Sequence, residues 1–583
     1  MPLRQTAQGP VWSPLRKIVV VGPGIVGMPM AALLARARIT IGSTEPARVV
    51  VVQRPSLSSG WKVAAINAGR SPIGGVEPQL DEIVRTAQAA GQISATHDLE
   101  TVCDADVILI AVQTDKAGIG PDYGPLFAAI DGVATALRHR AADVTPLIVF
   151  ESTLAPSSLA TVVRQRFHDM GLVEGRDIHL AHSPNRAMPG RLVDRVVASD
   201  KLVAGLSAHA TRLTAQLYRH VVTEGTLHEA NAVTAEMSKT LENAYRDVRI
   251  ALAAELADHC DRSDIDFFAL RDAVNRCLED VDDASDSPLT IPTGALLVPM
   301  VGVGGHCLPK DGVLLWWRAR EAGLPSEHSL ILAARVVNDA GPARVLTRLQ
   351  RLMSAGPGRT VAILGVAYRG DAEDTRNAPG LSLAHLLREQ GFAVRLHDPH
   401  VRADDPNLVA QGLDGIFSRS LEQTLAGANA VVLAAPHRAY QDLIPALLRE
   451  ADLRPVFDGA QLLPRAARRA PGVDGIGRGL HPPPPQLIAQ SAAAVRVVAL
   501  AVAREVQWLA DDLNRRFGLG GYGAADVLEV LRLVRTCPTG ANLPHPDARV
   551  PIGEPAWAES RLVACATHWL GADFPTALPS SRG

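Results

Sequence analysis

The stretch Lys17-Ile-Val-Val-Val-Gly22-Pro-Gly24-Ile-Val-Gly27 decides the fold. Its first five residues are apolar after the lysine and do not alternate, the pattern of a strand buried on both faces. The glycines then fall at GxGxxG spacing and open a helical run, PMAALLARA. Lacking Cβ atoms, they permit a tight turn and bring backbone N–H groups and a helix N-terminus to a pyrophosphate. GxGxxG alone is a weak signal; between a strand and a helix it predicts a dinucleotide cradle formed by Gly22, Gly24, Ile25, Val26 and Gly27. A second strand, RVVVVQ, ends at Gln53 where a carboxylate usually meets the adenosine ribose. The 2′-hydroxyl would there meet a neutral amide, and Arg54 would suit a 2′-phosphate. NAD is the expected cofactor, with NADP the open alternative.

Outward from this motif the alternation continues through DADVILIAV (104–112), TPLIVFEST (145–153) and DIHLAHSP (177–184). Apolar strands alternating with helices imply a doubly wound parallel sheet. From about 230 to 275 the period changes to 3.6, predicting one long helix, or two in series, between two lobes. Strand–helix alternation returns between Arg359 and Arg478, now without GxGxxG. HPPPPQ (481–486) reads as a semi-rigid linker. Helical patterns follow at 487–516 and 524–536, and a short helix lies within PAWAESRLVACATHWL. The expected class is α/β, with two Rossmann-like doubly wound lobes joined by a long central helix and a mostly helical C-terminal extension. Expected boundaries are a disordered 1–15, a cofactor domain 16–225, a central helical domain 226–340, a second Rossmann-like domain 341–480, the linker, and an extension 487–583 for docking or oligomerisation.

Composition narrows the function classes. The 583 residues are 47% hydrophobic and 20% charged, ordinary for a globular chain with a full core. A net charge of −3 gives no electrostatic reason to expect nucleic acid or an anionic membrane. Cys103, Cys260, Cys277, Cys307, Cys537 and Cys565 are widely spaced, so neither a zinc site nor a disulfide framework is expected. The first 14 residues lack a signal-peptide core, and apolar runs such as 497–503 are too short to span a bilayer. A cytoplasmic protein without metal, nucleic acid or membrane partners is expected. Lysine is scarce (Lys17, Lys62, Lys116, Lys201, Lys239, Lys310), which makes each one's position informative.

Three segments carry chemistry. In Gly302-Val-Gly-Gly-His-Cys307-Leu-Pro-Lys310-Asp311, a helix is predicted from Pro309. A thiol near a helix N-terminus and a cation is a nucleophile candidate; a lone cysteine without such neighbours is usually an inert buried thiol. Lys239 and Asn243 stand i, i+4 on the central helix and project from one face. A lysine on a helix is usually solvated, but this chain builds its surface with arginine. Together the pair suits an oxyanion, by charge and by N–H donation. The loop Ala367-Tyr-Arg369-Gly-Asp-Ala-Glu-Asp374-Thr-Arg376-Asn377 follows a strand, where ligands bind, and its arginines suit phosphates.

In chain order, GPGIVG, AVQTD (111–115), ESTLAP (151–156), SPNRAMPG (183–190), SKTLENAYRD (238–247), GVGGHCLPKD (302–311), GVAYRGDAEDTRNAP (365–379) and GIGRG (475–479) resemble the UDP-glucose/GDP-mannose dehydrogenase family over residues 16 to about 480. The form SPNRAMPG, with Arg186 and Pro189, looks like the branch acting on UDP-N-acetylhexosamines (UDP-ManNAc or UDP-GlcNAc). The resemblance implies an NAD-dependent oxidoreductase of polysaccharide biosynthesis. It would oxidise a sugar C6 alcohol to the uronate by a four-electron route through a Cys307 thiohemiacetal and thioester. It implies that Lys239 and Asn243 stabilise oxyanions and that Asp311 orients water or assists proton transfer. Thr114, Thr153, Lys310 and Arg376 would contact the cofactor, alongside Gln53. Asn185, Arg186, Lys239, Asn243, Gly304 and Arg369 would contact the UDP-sugar, and the central helix would form a homodimer.

Three departures stand out. Asn185 occupies the family's Glu position, and an amide cannot accept a proton as a general base. Thioester hydrolysis would then use Asp311, Glu151 or water alone, or be slow. Gln53 replaces the ribose-binding acid, and no Arg or Lys lies between Arg276 and Lys310, where the family often has one. Beside the full dehydrogenase stand a variant stalled at aldehyde or thioester, and a non-catalytic nucleotide-sugar-binding scaffold. A β-hydroxyacid dehydrogenase would need neither Cys307 nor the second lobe.

Overall fold

The computed structural model describes residues 3–6, 9–12, 14–57, 59–74, 77, 79–117, 120–140, 145–186, 190–283, 296–353, 358–536, 543–548 and 560–571. The chain divides into two compact units. One comprises Met1–Glu242, Leu314–Gly323 and Trp508–Gly540; the other comprises Asn243–Val313, Leu324–Gln507 and Ala541–Gly583.

The first unit is built on an eight-stranded sheet. Its order is Leu227–Asn231, Lys201–Gly205, His179–His182, Leu147–Phe150, Val107–Ile110, Lys17–Val21, Arg48–Val52, Ile93–Thr96. All neighbours are parallel except His179–His182 against Lys201–Gly205. The unalternating valines of the first strand are buried on both faces, since helices cover both sides. The strand order reverses between Lys17–Val21 and Val107–Ile110, so ligands bind beyond the C-terminal ends of these two strands.

The second unit holds a six-stranded, wholly parallel sheet ordered Phe417–Ser418, Ala393–His397, Thr360–Leu364, Ala430–Leu433, Val456–Asp458, Val473–Gly475. Its switch point lies after Thr360–Leu364, where the arginine loop begins.

The central segment forms two helices in series, Ala232–Arg262 and Phe267–Asp283. The break is local chemistry: Asp264 takes φ +53°, and the Asp266 carboxylate accepts the Phe268 and Ala269 N–H groups to cap the second helix. Every residue from Ala232 to Asp261 is buried or half-buried within its own chain, and Arg262 is the first exposed one.

Two segments at the expected boundaries carry hydrogen-bonded structure. Within residues 1–15, Leu3–Thr6 pairs antiparallel with Gly9–Trp12. The expected linker 481–486 is pinned, because Asp266 N–H donates to the His481 carbonyl at 2.8 Å. Pro485 opens a helix running to Arg516, as proline does at a first turn where no N–H is needed. By length and composition that helix could cross a bilayer, but 67% of its apolar window is buried, as in a core helix. Further helices span Val527–Arg535 and Arg561–Gly571.

Candidate active site

The first unit carries the dinucleotide turn, and its three glycines have three different jobs. Gly22 has φ +97°, and a Cβ there would lie 2.7 Å from the Ala111 carbonyl oxygen. At Gly27 a Cβ would meet the Gly22 oxygen at 2.1 Å, so this glycine seats the helix Gly27–Ala37 on the turn. A Cβ on Gly24 would meet nothing within 4 Å: the space in front of it is open. That is the surface a pyrophosphate needs for close backbone approach, and the turn fits the expected cofactor. Ile25 is exposed on the rim, and Val26 occupies the cap position of the helix.

Gln53 ends the second strand, but its amide nitrogen donates to the Arg54 carbonyl and to Ser59 Oγ, each at 3.0 Å. A ribose hydroxyl reaching it would therefore donate to its Oε1. Lys62, which sequence reasoning did not select, donates to the Pro23 carbonyl inside the turn at 3.3 Å, and burial pushes its pKa down. The scarcity of lysine was the available signal. Thr114 and Thr153 come together, the Thr114 hydroxyl donating to the Thr153 carbonyl at 2.9 Å.

Behind this loop lies a buried polar network. Asn185 Nδ2 donates to Glu151 Oε2 at 3.2 Å, Lys201 Nζ lies 3.1 Å from the same oxygen, and the Tyr218 hydroxyl donates to Oε1. Burial lowers the Lys201 pKa and raises that of Tyr218 well above its ordinary value. Neighbouring His182 donates from Nδ1 to the Phe150 carbonyl, and burial, outweighing this bond, drives its pKa to about 3. The charges of Lys201 and Lys239 add to that depression, which places Lys239 beside this network. Lys239 itself is buried, not solvated. Three residues earlier on the same helix, Glu236 accepts the Ser157 and Leu159 N–H groups at 2.7 and 2.8 Å, and burial pushes it up to about 8.

Arg186, expected to contact substrate, is committed elsewhere. Its buried guanidinium pairs with Glu242 at 2.8 Å and donates to the Asp200 and Leu533 carbonyls and to Thr536 Oγ1. A planar five-donor group surrounded by acceptors satisfies itself in the protein interior. Pro189 lies outside the described residues.

The second unit carries the thiol. Cys307 is exposed and precedes the helix Leu308–Glu321, one residue earlier than predicted; its carbonyl accepts the Asp311 N–H at 2.9 Å. The sulfur is thus borne by the cap residue, beside the positive end of the helix dipole. Asp311, fully buried in the first turn, accepts from Asn243 Nδ2 at 2.6 Å and lies 3.7 Å from the ammonium of buried Lys310.

The arginine loop folds onto the same backbone. Gly305 N–H donates to the Arg376 carbonyl at 2.8 Å, and Asn377 Nδ2 donates to the Gly305 carbonyl at 2.9 Å. Gly304 is glycine because a Cβ would lie 2.6 Å from Tyr368 Cβ and 2.7 Å from the Asn377 oxygen. Its missing Cβ makes room for this loop. Burial works against the Arg376 charge, but Asp374 and then Cys307 outweigh it and hold its pKa above the ordinary value. Arg376, expected at the cofactor, thus carries a charge that Asp374 and Cys307 both favour. Arg369 is exposed. Asp371, His400 and His437 could meet around an ion, but His437 already accepts the Asp371 N–H and donates to Asp398, and Asp371 binds Arg438. The trio is a loop anchor.

Comparison with known proteins agrees with this geometry. The UDP-N-acetyl-D-mannosamine dehydrogenase of Pyrococcus horikoshii is 32% identical over 431 residues, covering 73% of this chain and 91% of that protein. The NDP-N-acetyl-D-galactosaminuronic acid dehydrogenase of Ralstonia solanacearum is 32% identical, covering 73% and 92%. Among solved structures, the NDP-N-acetyl-D-galactosaminuronic acid dehydrogenase from Methanosarcina mazei Go1 aligns with a TM-score of 0.64 at 32% identity, over 80% of this chain and 96% of that one. The UDP-D-ManNAc dehydrogenase structure from Pyrococcus horikoshii gives 0.65 at 30%, over 79% and 99%. Family models match in chain order: the NAD binding domain at 16–222, the central domain at 233–340 and the UDP binding domain at 362–465. With its NAD turn, central helix and second sheet each matched, the chain belongs to the UDP-glucose/GDP-mannose dehydrogenase family.

Proposed function

We propose that this dehydrogenase oxidises the C6 alcohol of a UDP-N-acetylhexosamine to the uronate. The observation carrying this reading is the start of helix Leu308–Glu321, where an exposed thiol precedes a buried carboxylate that fixes the Asn243 amide. Bound at the glycine turn, NAD supplies the hydride acceptor for both oxidation stages. One N–H of Asn243 goes to Asp311, which aims the other at an oxyanion; Lys239, one turn earlier, adds positive charge. Once C6 is an aldehyde, the Cys307 sulfur bonds to its carbonyl carbon and the oxygen becomes the oxyanion of a thiohemiacetal. Loss of hydride from that carbon leaves a thioester. Water then adds, the C–S bond breaks, and the thiolate departs from the carboxylate.

The substrate class is supported by the two relatives, whose names carry N-acetylhexosamine-type sugars, and by the SPNRAMPG segment. The test is to offer UDP-GlcNAc, UDP-ManNAc, UDP-glucose and GDP-mannose and follow nicotinamide absorbance. Two reduced cofactors per N-acetylhexosamine are expected; binding without reduction of any sugar overturns the reading in favour of a scaffold.

One observation favours a second reading. Asn185 donates to Glu151, and neither its amide nor that buried, lysine-paired carboxylate is placed as an ordinary water-facing base. An enzyme that stalls would give a burst of reduced nicotinamide with little turnover, and Asn185→Glu would restore turnover.

A further inference from the structure

The helix Val527–Arg535 lies beyond residue 465, where the matched family models end, yet it belongs to the same compact unit as the glycine turn. Asp526 caps its start, the carboxylate accepting the Leu528 and Glu529 N–H groups at 3.0 and 3.1 Å. Its fully buried Leu533 packs in one cluster with Leu202 and Ala204 of the strand Lys201–Gly205, Ala230 of the edge strand, and Ala235. Just before the helix, Asn231 Nδ2 donates to the Ala524 carbonyl at 2.8 Å, and the Tyr522 hydroxyl donates to the Ala230 carbonyl at 2.9 Å. Tied at both places to the edge of the sheet, the helix ends at a fixed point.

Arg186 stands at that point. The last carbonyls of a helix lack partners within it and carry the negative end of its dipole. Leu533 offers such a carbonyl to Arg186 Nη2 at 3.3 Å, and Thr536 Oγ1 accepts from Nη1 at 3.3 Å. Thr536 gives its own hydroxyl proton to the Leu533 carbonyl at 2.8 Å, which leaves its lone pairs for the guanidinium. Glu242 and the Asp200 carbonyl accept from the same guanidinium.

The segment Ser183–Arg186 leaves the C-terminal end of the strand His179–His182, the end at which sheets of this kind bind ligands. Ser183 fixes one side of it, its Oγ donating to the Leu202 carbonyl at 2.7 Å, and Arg186 fixes the other. Between them Asn185 donates to Glu151. We infer that the helix Val527–Arg535, with Thr536, is a positioning element for the Asn185 amide and acts through Arg186. This rests on the proposed function, with Ser183–Arg186 taken as part of the sugar site.

The test measures sugar and NAD constants in full-length variants, with UDP-ManNAc and UDP-GlcNAc as probes. Leu533→Ala withdraws the apolar anchor, and Thr536→Val removes the hydroxyl while keeping the shape. They should raise the KM for the sugar by about fivefold and about threefold respectively, with the KM for NAD unchanged. Thr536→Ser returns the acceptor and should restore the wild-type value. Because the NAD turn lies in the same unit, a merely structural loosening would move both constants together. That result overturns the inference, as does an unchanged sugar KM in Thr536→Val or a Thr536→Ser equally impaired. Wild-type protein that binds the sugar without reducing NAD sinks the proposed oxidation alone, and the sugar dissociation constant then takes the place of KM. Binding of neither sugar sinks both.

Discussion

At the end of the first strand in each sheet a glycine with φ +97° turns the chain, Gly22 in one and Gly365 in the other. Each donates its N–H to the last residue of the second strand, Val52 at 3.0 Å and His397 at 2.8 Å. Each corner also has a second glycine at its helix, Gly27 or Gly380, whose Cβ would press on the first glycine's carbonyl oxygen. The difference is the insert. Residues 23–26 form a short turn that exposes backbone, whereas residues 366–378 form a long loop with Arg369 and Arg376. One corner therefore offers amides to a phosphate, and the other carries a loop with two arginine side chains. Shared topology fixes where a ligand goes; the insert decides which ligand.

The largest effect expected from this division is chemical. Cys307→Ala should lower sugar-dependent reduction of NAD by about a thousandfold or more, with NAD affinity unchanged by titration calorimetry. Loss of NAD binding in that variant would break the division of labour between the two corners.

The loops beside the two corners should also answer pH in opposite senses. Glu236 holds the Ser157 and Leu159 amides with a pKa raised from 4.5 to about 8, so its folded state retains the proton. Its contribution is complete below the unfolded value and is lost as pH rises through about 8. For Asp398, burial alone would raise the pKa. Hydrogen bonds from His437 and backbone amides outweigh it and hold the carboxyl below the ordinary value. Its contribution is present above the unfolded pKa and lost as pH falls through the lowered one. Hydrogen exchange corrected for intrinsic rates should show residues 151–163 loosening towards alkaline pH and 365–378 towards acid. Glu236→Gln should flatten the first response and Asp398→Asn the second.

Local patterns made much of this legible. The unalternating KIVVV, the glycine spacing and the change of period near residue 230 reported the strand, the turn and the helix, because each is decided by neighbours in sequence. Cys307 and Asp311 were legible for the same reason, being one helical turn apart. What stayed hidden depends on distant residues. Arg186 ends on Leu533 and Thr536, Lys62 on Pro23, and Glu151 on Lys201 and Tyr218. Gly304 and Gly305 lack a Cβ where one would press on Tyr368. Spacing says that a backbone needs room and does not say for what.

The glycines give a sharper, smaller test. Gly22→Ala and Gly365→Ala each place a Cβ under 3 Å from a neighbour at positive φ, and each should cost roughly 1–3 kcal/mol of stability in chemical denaturation. Gly24→Ala meets open space, so its stability should be unchanged while NAD affinity falls about tenfold. Equal destabilisation at all three positions would mean that the turn is structural only.

The smallest expected effect compares the residue after the second strand, Gln53 in one sheet and Asp398 in the other. Asp398 is a fully buried acid at this position, spent on the amides of Val366 and Ala367 and on His437. Gln53 is half-buried, and its amide nitrogen is turned into its own loop towards Ser59. A carboxylate at position 53 would accept both ribose hydroxyls, whereas the amide offers one oxygen. Gln53→Asp should therefore tighten NAD by about 1 kcal/mol, roughly fivefold, and weaken NADP by charge repulsion of its 2′-phosphate. If NAD affinity does not move while NADP weakens, the ribose does not reach residue 53, and Arg54 becomes the group to replace next.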